Sequence, residues 1–207
     1  MADKPTAIDK NPNITPLRQL VVFTLTFLCY VGLHAIRAAW AYSKSILSKQ
    51  YGYAQWVNGG VDVAYLLSYS AGMATIGTMT NRFRLNLFLG CGMMLAALFF
   101  SSFALVDAIW GDFLVPVMFV GMALNGFFQS TGWPGMMATM GNWFGKGRRG
   151  LLLAFWSVNA NVGNIVGSVV CSNLKENWKM NVFVTACICA GIGLVIILFL
   201  KPKPVPA

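Results

Sequence analysis

Arg37 is the cation whose place in this 207-residue sequence most needs a reason: it lies inside the apolar stretch CYVGLHAIRAAWAYSKS. Tyr30, His34, Arg37 and Lys44 follow at three- and four-residue steps or their sum, so one face of a helix carries all four. A stripe of phenol, imidazole, guanidinium and ammonium can line a path for an anionic solute. An arginine at the centre of a bilayer costs roughly 2.5–3.5 kcal/mol, so it faces a bundle interior, a cavity or a counter-ion. Asp62, at the start of the next apolar run, offers that counter-ion. A structural Arg37–Asp62 ion pair therefore stands beside the anion lining as an equal reading. His34 alone fits a satisfied bundle residue better than a proton relay.

Two further polar stripes sit in apolar surroundings. Asn125, Gln129 and Trp133 recur every four residues just before Pro134, which predicts a kinked helix. Ser157, Asn161, Asn164 and Ser168 recur at four, three and four. With Trp156 and Asn159 these amides are assigned to a cavity wall, and interhelical hydrogen bonding is the equal alternative for them. Gly163 and Gly167 form a G-x-x-x-G, which predicts close helix packing.

The run GKGRRG at Gly145–Gly150 fits G-x-G-x-x-G, a phosphate-binding spacing in dinucleotide enzymes. No strand precedes it, and apolar helices flank it on both sides. It also fails as a P-loop, since three residues rather than four separate Gly141 from Gly145 and Gly147 stands where Ser or Thr is required. The glycines are expected to make a tight link between two spans. Lys146, Arg148 and Arg149, with Arg82 and Arg84, are assigned to anionic lipid headgroups.

The rest of the chain must hold these residues in a membrane. It is 57% hydrophobic and 10% charged, with a mean hydropathy of +0.64 and six carboxylates in all. A soluble chain is nearer a quarter charged. Apolar runs of about 20 residues, the length that crosses a bilayer, lie at Leu20–Tyr42, Val57–Met79, Leu87–Val106, Phe113–Thr139, Leu151–Ser172 and Met180–Leu200. The expected fold is an all-α membrane protein of six transmembrane helices over residues 20–200, with a polar tail at 1–19 and a Pro/Lys tail at 201–207. Cys29, Cys91, Cys171, Cys187 and Cys189 all fall in apolar helices, so no disulfide framework follows. Cys187 and Cys189 point to different helix faces, and with one histidine no metal site, cofactor or catalytic group is expected.

The cations give an orientation. Lys4, Lys10, Arg18, Arg82, Arg84, Lys146, Arg148, Arg149, Lys201 and Lys203 fall on the side of the N-terminal tail, against Lys44, Lys49, Lys175 and Lys179 opposite. That bias puts both termini on the cytosolic side, or the matrix side in a mitochondrion. The mitochondrial inner membrane and the endoplasmic reticulum both fit. The positive charge is thus assigned to membrane lipids, and no nucleic-acid partner is expected. No cleavable signal is read in MADKPTAIDKNPNITP.

The run LNGFFQSTGWPGMMATMGNWFGKGRRG, followed by FWSVNANVGNIVGS, resembles the sugar-phosphate exchangers of the major facilitator superfamily, which include glycerol-3-phosphate and hexose-phosphate antiporters. The Gly132-Trp133-Pro134 turn, Asn142-Trp143-Phe144 and Val162-Gly163-Asn164 all fit, and the resemblance covers roughly residues 18–200. It implies that the chain is one six-helix half of such a transporter. HAIR matches the first-helix segment whose arginine contacts substrate phosphate, which implies that role for Arg37 with His34, Tyr30 and Lys44 nearby. VDVAYLLSYSAGM resembles the second helix, with Asp62 in register.

Departures accompany the likeness. Ala38 stands where the family usually has lysine, Asn81 where it has an acid, and Asn159 and Ala160 where several members have a histidine. The family has twelve helices in two halves, with substrate between them. Six helices followed by KPKPVPA, where the inter-half linker would begin, leave the second half unaccounted for. The resulting expectation is an accessory or structural subunit of a larger membrane complex. The alternative is an active organophosphate/phosphate antiporter, formed by homodimerisation or by pairing with a second half.

Overall fold

In the computed structural model the described residues are 12–107, 109, 113–175 and 177–204, with the side chains of 81 and 146–149 excepted. Among these residues eight α-helices make up six spans. Helix α1 (Pro16–Tyr51) starts where Thr15 caps the first turn by accepting from the Arg18 N–H, and Pro16 occupies a position that needs no donor. It begins four residues before the expected span and runs for 36 residues, further than a bilayer requires. Gly52 ends it at φ 65°, a left-handed conformation that suits glycine.

Helices α2 (Gln55–Met79) and α3 (Leu85–Asp107) form the next two spans. A single 3-10 turn at Thr80–Arg82 joins them. The fourth span is α4 (Leu114–Gln129) with α5 (Gly132–Trp143). Their break at Ser130–Thr131 follows from Pro134, which has no N–H to give the Ser130 carbonyl. The predicted kink is therefore present, one turn ahead of the proline.

The fifth span differs from expectation. It is divided into α6 (Lys146–Trp156) and α7 (Asn159–Asn173), with no proline at the break. Ser157 bends back instead, its hydroxyl donating to the Leu153 carbonyl at 2.7 Å. The expected glycine link is also corrected, because Gly147 and Gly150 already lie within α6 and the connection is Phe144–Gly145. The side chains of Lys146, Arg148 and Arg149, assigned above to lipid headgroups, lie outside the described residues, as do Lys4 and Lys10. Helix α8 (Trp178–Phe199) completes the unit, capped by Asn177 accepting from Met180 N–H.

Among the described residues five spans are long and apolar enough to cross a membrane, and α2 falls short in hydropathy. The reason is local: α2 carries Asn58, Asp62, Tyr65 and Tyr69, the polar content that faces α1. Helix α1 packs on α7 and α8, α3 on α8 and α4, and α2 on α4. Large buried side chains, among them Phe100, Phe103, Trp143 and Trp178, fill the core from one end of the bundle to the other. The G-x-x-x-G acts as predicted. A Cβ on Gly163 would stand 2.6 Å from the Val31 carbonyl oxygen, and one on Gly167 2.5 Å from that of Ala35.

Polar ties fix both ends of the bundle. Asp107 accepts from Tyr51 at 2.9 Å and pairs with Lys179 at 2.6 Å, joining α1, α3 and α8. At the other end Gln19 donates to the Trp143 carbonyl at 2.8 Å. Trp143 and Asn142 donate to the carbonyls of Lys201 and Pro202 at 2.7 and 3.0 Å. Arg18, Arg82, Arg84 and Lys201 therefore share one end, and Lys44, Lys49, Lys175 and Lys179 the other. All five cysteines are free, and no cluster that could hold a metal occurs among the described residues.

Candidate anion-binding site

Arg37 projects from α1 toward α2 and α4. Its Nε donates to Gln129 Oε1 at 3.0 Å, and the Tyr65 hydroxyl donates to the same oxygen at 3.0 Å. Gln129 is in turn oriented by Asn125: its Nε2 donates to Asn125 Oδ1 at 3.1 Å, and Asn125 Nδ2 donates to the Ala96 carbonyl at 2.7 Å. The relay runs from a fixed backbone carbonyl of α3, through two buried amides of α4, to the guanidinium. Each amide is thereby satisfied, which its burial demands.

Two tyrosine rings complete the clasp. The Arg37 guanidinium carbon lies 5.3 Å from the centre of the Tyr65 ring and 4.9 Å from that of Tyr69. Such cation–π contacts contribute about 0.5–2 kcal/mol each, according to solvent exposure. Tyr65 and Tyr69 are stacked at 6.1 Å and one helical turn apart. The sequence reading missed them; the signal was two tyrosines spaced four apart after Asp62, facing the arginine-bearing helix.

The Arg37–Asp62 pair, one of the two equal readings of the sequence, is not formed. Asp62 accepts from Trp40 Nε1 at 2.6 Å and from Lys44 Nζ at 2.7 Å. The register of α1 against α2 brings Lys44, two turns beyond Arg37, level with the carboxylate. Among the described residues no carboxylate pairs with Arg37. Among the described residues a half-buried guanidinium is thus held by neutral groups, with no carboxylate to neutralise it.

The remaining expectations divide by burial. Tyr30 stacks obliquely with His34 at 5.0 Å, Trp156 at 5.3 Å and Trp133 at 6.0 Å, an aromatic group beside Arg37 on α1. Asn164 meets His34 and is exposed, as are Asn161 and Ser168 on α7 and Ser157 at the break before it. Asn125, Gln129 and Asn159, expected on a cavity wall or in interhelical hydrogen bonds, and Trp156, expected on the wall, are all buried. The first two are the relay behind Arg37. Trp156 donates to Thr26 at 3.3 Å beneath Tyr30. Asn159 shares the face of Gly163, Gly167 and Cys171 that packs inward, and its amide has no hydrogen bond.

The relay gives one expected result. Gln129→Leu removes the acceptor of both Arg37 and Tyr65 and should cost about 1–3 kcal/mol through the polar groups left unpaired. Thermal melting in detergent should show this loss, with weaker phosphate binding beside it. Unchanged melting and binding would contradict the relay.

The sequence pattern of the Major Facilitator Superfamily matches residues 22–207. The chain belongs to that superfamily. Its relatives include a protein of Arabidopsis thaliana whose name assigns it to glycerol-3-phosphate transport, 34% identical over 198 residues. The match covers 90% of this chain and 39% of that protein. The glucose-6-phosphate exchanger SLC37A2 of Homo sapiens is 37% identical over 147 residues, covering 70% of this chain and 29% of the relative. The same exchanger of Danio rerio is 36% identical over 152 residues, with 70% and 30% covered. The chain therefore spans about two fifths or less of the length of these curated relatives. It is an all-α integral membrane protein with the architecture of a half of this superfamily, similar to sugar-phosphate transporters.

Proposed function

We propose that this unit supplies the anion-binding half of an exchanger for phosphate and small phosphate monoesters, working opposite a second six-helix unit. The observation that carries the reading is the guanidinium of Arg37, which has been aimed and desolvated in part yet given no carboxylate. A phosphate oxygen pair would fit the far edge of the fork, since Nε is already committed to Gln129. Names among the relatives, glycerol-3-phosphate and glucose-6-phosphate, agree with that chemistry.

The exposed polar row of α7 and the open side of Tyr30, His34 and Trp133 would face the opposing unit, with substrate between the two. That unit is a second copy of this chain or a separate half. Exposed Arg82 and Arg84 lie where headgroups of anionic lipids would meet the bundle, and the cation-rich end faces the cytosol or matrix. The accessory-subunit reading rests on the second half left unaccounted for and on the departures at Ala38, Asn81 and Ala160; the Arg37–Asp62 pair that would accompany it is absent, Asp62 pairing with Lys44 instead.

Exchange in liposomes tests the proposal. Particles containing the chain are reconstituted around internal inorganic phosphate, and uptake of labelled phosphate is followed. Saturable counterflow, lost in Arg37→Ala, is expected. A large particle of unrelated subunits with no counterflow would instead favour a structural role.

A further inference from the structure

The two acid–base pairs at the α1–α2 end of the bundle are built differently. Asp107 is almost enclosed, with 4% of its side chain exposed, and it holds Tyr51 as well as Lys179. Lys44 and Asp62 are 32% and 37% exposed, and among the described residues Lys44 has no other side-chain partner at its ammonium. The first pair is a lock. The second can open at little cost, because exposed pairs contribute only about 0.2–1 kcal/mol.

Asp62 cannot follow its lysine when the pair opens. Its Oδ1 accepts from Trp40 Nε1, and Trp40 is buried with its ring edge-on to Phe103 at 5.9 Å. The backbone of Lys44 is also fixed: Asn58 donates to the Ser48 hydroxyl at 2.5 Å and to the Lys44 carbonyl at 3.4 Å, tying α2 to this turn of α1. Only the lysine side chain is free to change partner. Lys44 lies seven residues beyond Arg37, on the same helical face and about 10 Å along the axis.

We propose that Lys44 is a second anion station, used by phosphate or a phosphate monoester on its way to or from Arg37, and that Asp62 is its built-in competitor. This rests on the reading of Arg37 as an anion site. An arriving phosphate takes the ammonium from Asp62. When it moves on, the anchored carboxylate recovers the ammonium, so the station holds the anion weakly and releases it. No covalent step is involved.

The test is titration of the full chain in lipid nanodiscs with inorganic phosphate. Asp62→Asn keeps the acceptor for Trp40 but removes the competing charge, and phosphate should bind about 2- to 5-fold tighter. Lys44→Gln should bind more weakly, Lys44→Arg near wild type, and Asp62→Asn should give no gain when added to Lys44→Gln. A carboxylate acting only through its field would improve binding in both backgrounds, and that result would overturn the proposal. So would unchanged binding in Lys44→Gln, a readout that stands even where Asp62→Asn fails to fold. Absence of phosphate binding by the wild type, or binding indifferent to Arg37→Ala, would mark failure of the underlying anion-site reading rather than of the station alone.

Discussion

Arg37→Ala should abolish high-affinity phosphate binding while leaving the bundle folded. Loss of charge-assisted hydrogen bonds at about 1.5–3 kcal/mol each implies a fall of about 100-fold or more when two of them go. The fold should survive because no acid is stranded. Asp62 keeps Lys44 and Trp40, and Gln129 keeps Tyr65 and Asn125. An arginine held in a structural ion pair would behave in the opposite way, since its removal leaves a buried charge unpaired. Arg37→Lys should recover little, for an ammonium cannot keep Gln129 on one edge and grip a phosphate on the other. Titration with inorganic phosphate in nanodiscs, beside thermal melting of the same samples, separates these outcomes. A variant that binds normally would move the site elsewhere.

Gly167→Leu should have the largest effect on stability. The new side chain would begin 2.5 Å from the Ala35 carbonyl oxygen and 2.8 Å from Ala38 Cβ, both on α1, so helices α1 and α7 must separate. Overpacking of this kind costs about 1–3 kcal/mol and sometimes more. Since the obstacle is backbone, the upper end is expected. Separation would also draw Asn164 from His34, so phosphate binding should weaken with stability. Ile165→Leu, on the exposed face of the same helix, should change neither. Equal melting temperatures for Gly167→Leu and wild type would contradict the close crossing.

These two residues show what a sequence can disclose in a membrane protein. Arg37 and the two glycines were legible because each breaks its surroundings: a charge within apolar residues, and missing side chains at a four-residue spacing. The kink before Pro134 was legible for the same reason, a missing donor. The break at Ser157–Val158 was not, because a serine that bonds to its own helix looks like one that faces a cavity. The partner of Asp62 was also hidden. Arg37 and Lys44 share one face of α1, and the choice between them depends on how far α1 slides along α2, which helical spacing does not encode. Burial of Asn125 and Gln129 depended likewise on the rotation of α4. The stripe identified them as polar neighbours, and only packing showed that they stand behind the arginine as its support.

The most direct measurement is a cryo-EM structure of the assembled particle prepared with inorganic phosphate, read at the outer edge of the Arg37 guanidinium. Phosphate density is expected there, with Nε still on Gln129 and a second six-helix unit closing the opposite side. A partner subunit's carboxylate seated on Arg37, with no phosphate, would contradict it and make the arginine a structural contact.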